Sequence, residues 1–230
     1  VPFLPNLVNE IEQVETPVIS VLHGTALGGG LEIALGTHAR IGIKGLKVGL
    51  PEVHLGLLPG AGGTQRTPRL CGIPAALDMI LSGRHVHAEE ALEMGLIDRL
   101  YDGQPRDIAL QATQEVLIGK LKTRRTDQII AQPNHAHLDE VEARLLKTHS
   151  HLFSPHKCVE AVRACSLPIA EGLRVERQAF EECMKTPQRA GLIHAFFGER
   201  AVSNVPESKI APRQVEHIGI IGAGTMGSGI

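Results

Sequence analysis

Two acidic side chains, Glu32 and Glu52, stand out in the glycine-rich stretch 23–66. Glu32 comes shortly after the triplet Gly28 to Gly30, and Glu52 directly follows Pro51. A tight turn into a helix leaves backbone amides free at the helix N-terminus, where the helix dipole favours negative charge. An anion-binding turn beside two acids suits the addition of water across a polarised double bond, because one group takes a proton from water and another gives one to carbon.

Each acid also has an ordinary structural explanation. A glutamate in the first turn of a helix is stabilised by the dipole without any catalytic role, and a glutamate after a proline is usually a loop residue. Two carboxylates that hold one water would instead repel each other, which raises one pKa and leaves one acid and one base near neutral pH. Taken singly, the two residues leave both explanations open.

Longer motifs favour the catalytic explanation. ALGGGLEIAL begins at Ala26, GLPEVHLGLLPGAGGTQRTPRL at Gly49 and SGRHVHAEEALEMGLIDRL at Ser82. In this combination the chain closely resembles the crotonase, or enoyl-CoA hydratase/isomerase, superfamily. Glu32 stands in that family's GGGxE segment and Glu52 in its GxPE segment.

The resemblance implies reversible hydration of trans-2-enoyl-CoA to 3-hydroxyacyl-CoA in fatty-acid β-oxidation, with shift of a 3-enoyl double bond as a side activity. Glu32 would activate the water, Glu52 would exchange the proton at C2, and Gly29 would supply one backbone amide of the oxyanion hole. Hydration would need no cofactor. The resemblance also implies that the substrate is bound by Leu27, Gly28, Pro51, Leu58, Pro59 and Gly60.

Strands and helices alternate around these residues, which predicts an α/β fold; the resemblance implies a crotonase-like ββα spiral. The predicted strands cover 17–22, 39–43 and 97–100. The predicted helices cover 4–14, 31–35, 65–70, with Thr64 as N-cap, 73–81 and 88–94. From residue 106 onward helical spacing predicts a C-terminal helical lobe over 108–121, 138–146, 155–164, 169–184 and 187–197.

The last part of the chain resembles the linker helix of multifunctional β-oxidation enzymes. LPIAEGLRVER from Leu167 and HAFFGER from His194 carry this likeness. The run 215–221 predicts a strand, and the three glycines after it form GxGxxG, which lets the backbone approach the pyrophosphate of a dinucleotide. These glycines are Gly222, Gly224 and Gly227. The resemblance implies an NAD-dependent 3-hydroxyacyl-CoA dehydrogenase domain in the full-length protein.

We predict a hydratase/isomerase domain with its helical lobe over 1–165, linker helices and a connection over 166–214, and the truncated first strand and turn of a Rossmann domain over 215–230. Because the chain begins at Val1 inside a helix, we expect the family's first strands and the second oxyanion amide to lie outside it. We also expect this piece to be catalytically incomplete and unable to bind NAD usefully by itself.

Composition argues against several other classes of function. The 230 residues carry a formal net charge of −2 and no apolar run near the roughly 18 residues of a membrane span, so neither nucleic acid nor a membrane span is expected. The four cysteines lack CxxC spacing, and HxH pairs place their rings on different helix faces, so no metal site is predicted. Acyl-CoA thioesters are the expected partners, and a homo-oligomer or an association with a thiolase is left open.

Two competing functions stay open. Another crotonase-type reaction, hydrolysis or decarboxylation, usually lacks one of the two acids. Alternatively, the chain binds acyl-CoA or RNA without catalysis. The RNA would bind to the basic side chains of Lys120, Lys122, Arg124 and Arg125. A solvated helix end is the simpler explanation of these charges. For localisation we expect a bacterial cytoplasm, with a peroxisome or mitochondrion left open.

Overall fold

The computed structural model describes residues 3–202, 210–211 and 213–229. The strands are β1 Ile19–Leu22, β2 Thr25–Leu27, β3 Ala39–Ile43, β4 Lys47–Gly49, β5 Val86–His87 and β6 Arg99–Tyr101. The helices are α1 Leu4–Gln13, α2 Gly29–Leu35, α3 Gly63–Cys71, α4 Ile73–Ser82, α5 Ala88–Glu93, α6 Pro105–Leu117, α7 His135–Thr148, α8 Ser154–Arg163, α9 Ile169–Met184 and α10 Pro187–Val202. The chain divides into two compact units, Val1–His194 and Ala195–Ile230, and the candidate site lies in the first.

Two small sheets organise the first unit. β1, β3 and β6 form a parallel sheet with the fully buried β3 in the middle. β2 pairs with β4 in parallel, and β4 pairs with β5 in antiparallel orientation. Leu27, the last residue of β2, is in register with Gly49, the last residue of β4. The segments that leave these two strands therefore start side by side at one sheet edge.

The turn from β2 into α2 depends on Gly28. Its φ of +54° lies in a region that favours glycine, and it forms the N-cap of α2. The Gly28 amide donates to the Gly49 carbonyl at 2.9 Å, which keeps the turn attached to the end of β4. A short 3₁₀ helix, Pro51–Leu55, begins directly beyond that strand, with proline at a position that requires no backbone donor.

The main hydrophobic core lies between the β2 sheet and helices α2, α4, α7, α8 and α9. Its fully or almost fully buried side chains include Leu31, Leu35, Leu50, Leu77, Met79, Ile80 and Cys158. A smaller cluster joins β3 to α6 through Ile41, Ile108 and Ala112. Burial of this apolar area is the main favourable term that holds these elements together.

Most predicted elements are confirmed. The strand 39–43 and the helix 169–184 have the predicted bounds, and the other helices of the lobe differ by a few residues at their ends. The expectation for Thr64 is wrong: Gly62 is the N-cap of α3, and Thr64 lies inside the helix with its hydroxyl directed at another helix. The short strands β2, β4 and β5 were not predicted, because two or three residues are too few to show a period.

The predicted strand 215–221 is a further correction. Residues 210–211 and 213–229 contain no helix or strand, and Ile218 and Ile221 are exposed. A strand is defined by its ladder of hydrogen bonds to a neighbour, and no described strand pairs with this run. A β-like sequence pattern without a pairing partner therefore forms no strand here. No helix of the described residues is long and apolar enough to cross a membrane.

Candidate active site

Glu32 projects from α2 onto the loop that leads into α3. Its side chain is 3% exposed, and its Oε1 accepts hydrogen bonds from the backbone amides of Ala61 at 2.7 Å and Gly63 at 2.9 Å. Burial raises the pKa of Glu32, while the two amides and the nearby Arg66 guanidinium partly offset this rise. Because both amides bind Oε1, Oε2 is the oxygen left for another ligand.

Glu52 reaches the same place from the 3₁₀ helix that follows β4. A Cβ atom placed on Gly28 would lie 2.9 Å from Glu52 Oε1, so this carboxyl packs against the turn that begins α2. Its buried Oε2 has no hydrogen-bond partner among the described residues. Burial, and then the negative charge of Glu32, raise the pKa of Glu52 to about 8. This acid therefore keeps its proton at neutral pH.

A cavity of about 240 Å³ brings the two acids together with an amide. Gly29 is the first residue of α2, so its N–H has no acceptor within the helix. The rest of the wall is mainly apolar and includes one arginine. The lining residues are Phe3, Leu4, Pro5, Gly29, Glu32, Glu52, Gly60, Ala61, Arg177 and Phe180.

The predicted substrate-binding residues are distributed unevenly around this cavity. Gly60 lies in its wall, where a Cβ would come within 2.5 Å of the Phe180 ring. Gly28 borders Glu52, as described above. Leu58 is fully buried in the main core. Leu27, Pro51 and Pro59 are not part of the lining, and their roles stay predictions.

Several residues of the site region were not found from the sequence. Besides the lining residues Phe3, Leu4, Pro5 and Ala61, three of them lie on α9. Arg177 and Phe180 line the cavity, and the fully buried Glu176 contacts the same loop as Glu32. One feature of the sequence could have pointed to Glu176: a glutamate occupies the apolar stripe of an amphipathic helix. The buried positions of α9 are Gly172, Glu176, Ala179 and Cys183. Such a residue needs a buried partner, but the stripe does not say which.

The basic run 120–125 is partly neutralised by ion pairs. Arg124 pairs with Asp98 at 2.9 Å, and Arg125 pairs with Asp127 at 2.6 Å. Two of the four charges are thus engaged within the fold. This arrangement favours the structural explanation of the run over RNA binding.

A model of the enoyl-CoA hydratase/isomerase family matches residues 3–164. The chain belongs to this family. It is 39% identical over 234 residues to the peroxisomal bifunctional enzyme of Cavia porcellus, and 40% identical over 237 residues to that of Homo sapiens. These alignments cover 97% and 99% of the chain but only 32% and 33% of the relatives, so the chain spans about a third of their length.

The family fold is also seen in solved structures. An enoyl-CoA hydratase from Mycobacterium avium subsp. paratuberculosis superimposes with a TM-score of 0.55 at 22% identity, covering 85% of this chain and 69% of the other. At this identity the likeness shows the fold alone. The crotonase-like α/β fold expected from the motifs is thereby confirmed.

Proposed function

We propose that this chain of the enoyl-CoA hydratase/isomerase family adds water reversibly to trans-2-enoyl-CoA, with Glu32 and Glu52 as the acid–base pair. One observation carries the assignment. Two buried carboxyl groups from the ends of neighbouring parallel strands share one cavity wall with the free amide of a helix N-terminus. Such a constellation supplies proton transfer and oxyanion stabilisation at one place.

The two carboxyl groups have different roles because their surroundings differ. Glu32, held at Oε1 by two amides, takes a proton from water through Oε2, and the resulting hydroxyl group bonds to C3 of the substrate. Glu52, which is protonated at neutral pH, gives its proton to C2. Meanwhile the Gly29 amide faces the thioester oxygen, where negative charge develops in the enolate-like transition state. The proton gained by Glu32 and the proton lost by Glu52 balance.

The same groups account for the proposed isomerase side activity. Moving a 3-enoyl double bond to position 2 also passes through an enolate and requires proton transfer at carbon. The apolar part of the wall, with Phe3, Leu4 and Phe180, suits the hydrocarbon of an acyl group next to the thioester. Acyl-CoA thioesters are therefore the proposed substrates.

We further propose that the chain is a segment of a longer bifunctional protein, since its relatives are about three times as long. The proposed boundaries are 1–165 for the hydratase domain, 166–214 for the linker and 215–230 for the start of a dehydrogenase domain. The relatives are named peroxisomal, which supports a peroxisome as the proposed compartment. A bacterial cytoplasm has no support from them.

NAD is proposed for the longer protein only. Gly222 has a φ of +106°, and Gly227 packs so closely on the Gly222 carbonyl that a side chain would not fit, which are backbone conditions that glycine meets. A dinucleotide site, however, also needs a strand before the glycines and a helix after them. Neither forms within residues 213–229. These residues do not build an NAD site by themselves, and no step of the hydration involves one.

The test follows the loss of enoyl-thioester absorbance with a short trans-2-enoyl-CoA, in this chain and in the longer protein. We expect Glu32→Gln and Glu52→Gln each to lower kcat by about 10²- to 10⁴-fold, because each removes one proton-transfer group. Glu10→Gln, an exposed position on α1, is the matched control. Release of free thiol without hydration would instead indicate hydrolysis. Activity that is indifferent to both substitutions would refute the mechanism.

A further inference from the structure

The four backbone amides of residues 61–64 alternate between two carboxyl groups. The first and third donate to Glu32, as described above. The second and fourth donate to Glu176, at 2.7 Å to Oε1 and 3.0 Å to Oε2. The Thr64 hydroxyl adds a third hydrogen bond to Glu176 Oε2 at 2.5 Å. The loop is thereby held from two sides by groups that are far apart in sequence.

Glu176 lies outside the segment that the family model matches, which ends at residue 164. It belongs to α9, within the segment that we propose as a linker. The helix approaches the loop closely, because Gly172 packs against Gln65 with no room for a side chain. Gln65 in turn donates to the Ala161 carbonyl at 2.7 Å. Glu176 therefore sits in a tightly packed contact with the start of α3.

We propose that Glu176 is a positioning residue for Glu32, which it orients through the loop 61–64. Glu176 fixes the amides of Gly62 and Thr64. The intervening amides of the loop are thereby directed at Glu32 Oε1, and Glu32 Oε2 stays free to bind the water. This inference rests on the proposed function and deepens it, because it makes α9 part of the hydratase site.

The physical argument concerns the conformation of the loop. Gly62 has a φ of +97°, one of several backbone states open to glycine, and its hydrogen bond to Glu176 favours this state over the others. A fully buried carboxyl without donors would be costly, so the two amides and the hydroxyl also satisfy Glu176. Burial, and then the charge of Glu32, raise the pKa of Glu176. Neither the loop nor either carboxyl group can shift without affecting the other two.

The test compares Glu176→Gln with Glu171→Gln, an exposed control on the same helix with the same replacement of a carboxyl group by an amide. The nitrogen of the glutamine side chain donates and cannot accept, so at least one donor of the loop loses its acceptor. We expect Glu176→Gln to lower kcat by roughly 10- to 100-fold while KM changes by less than about threefold, because the reacting groups are displaced and the acyl pocket is kept. Glu176→Asp, which retains a carboxyl group, should recover part of kcat.

A second readout does not depend on turnover. In amide hydrogen exchange, Glu176→Gln should speed exchange at Ala61 and Gly63, which Glu176 does not touch. A purely structural role would alter Gly62 and Thr64 alone. If Glu176→Gln folds poorly, Thr64→Val replaces it, with Thr64→Ser, which keeps the hydroxyl, as its control.

The outcomes separate the two proposals. A wild-type protein that does not hydrate enoyl-CoA refutes the proposed function, while the exchange of Ala61 and Gly63 still tests the positioning of Glu32. A folded Glu176→Gln protein with wild-type kcat and unchanged exchange at these two amides refutes the positioning role. Loss of kcat with faster exchange supports it.

Discussion

At the scale of single residues, the site depends on how differently two glutamates are surrounded. Glu32 accepts two backbone hydrogen bonds that favour its charged form, whereas Glu52 Oε2 has no such partner among the described residues. Burial raises the pKa of both acids, and two loop amides partly offset this at Glu32, whereas at Glu52 only its own backbone amide does so. In the proposed mechanism this difference in environment assigns Glu32 as the base and Glu52 as the acid.

The pKa of about 8 at Glu52 predicts the pH dependence of hydration. In the proposed mechanism hydration needs protonated Glu52, so kcat/KM should fall about tenfold per pH unit above roughly pH 8. Rates measured from about pH 6 to about pH 10 with a short enoyl-CoA check this. The Glu10→Gln control should keep the wild-type profile. A rate that stays level to about pH 10 would contradict the role of Glu52 as the acid.

The same raised pKa links stability to pH. Between roughly pH 4, where a glutamate normally titrates, and about pH 8, folded Glu52 keeps a proton that the unfolded chain has lost. Its contribution to stability is therefore present at low pH and is lost as the pH rises through this window. Urea unfolding should show Glu52→Gln gaining stability over wild type as the pH increases. A difference that is constant with pH would rule out the raised pKa.

At the scale of elements, the register of β2 and β4 determines where both acids lie. Because these two parallel strands end side by side, α2 and the 3₁₀ helix begin at the same edge of the sheet. The hydrogen bond from the Gly28 amide to the Gly49 carbonyl connects the two strand ends. The Glu52 carboxyl then packs where a Gly28 side chain would be. Glycine is needed here because the backbone has a positive φ and because a side chain would collide with the Glu52 carboxyl.

Replacing Gly28 by alanine tests this arrangement. The new Cβ would lie 2.9 Å from Glu52 Oε1, and the alanine would have to adopt a strained positive φ. We therefore expect kcat to drop by about tenfold or more. Gly30→Ala is the matched control, since its Cβ would meet open space within α2. That variant should keep its activity and gain roughly 0.5–1 kcal/mol of stability. Equal loss of activity in both variants would contradict the explanation.

At the scale of the whole molecule, a buried ion pair connects the N-terminal helix to the site. Arg66 on α3 donates to both oxygens of Glu12 on α1, at 3.2 and 2.7 Å, and also to Asn9 at 2.8 Å. Glu12 accepts a further bond from the Asp127 amide. Both partners are almost inaccessible to water. The pair joins α1 to α3, the helix that follows the loop bound by Glu32, and Glu12 also binds the 126–128 turn.

Breaking this pair should destabilise the protein as a whole. In Glu12→Gln the guanidinium of Arg66 stays buried without its counter-charge, and such losses typically cost about 3–5 kcal/mol. Glu10→Gln, exposed on the same helix, should change stability by less than about 0.5 kcal/mol. The free energy of unfolding in urea measures both. A Glu12→Gln protein as stable as the control would show that the ion pair contributes little.

The sequence by itself determined most of the longer elements and pointed to the two acids of the proposed site. Apolar periodicity is a local property, so the helix 169–184 and the strand 39–43 followed from spacing alone. Glu32 and Glu52 were found because each belongs to a continuous motif. The tertiary structure alone decided which groups meet across long separations: Glu176 contacts Gly62 across 114 positions, which no local pattern encodes. For the same reason the run 215–221 looked like a strand but formed none, because pairing depends on a neighbour and not on the run itself.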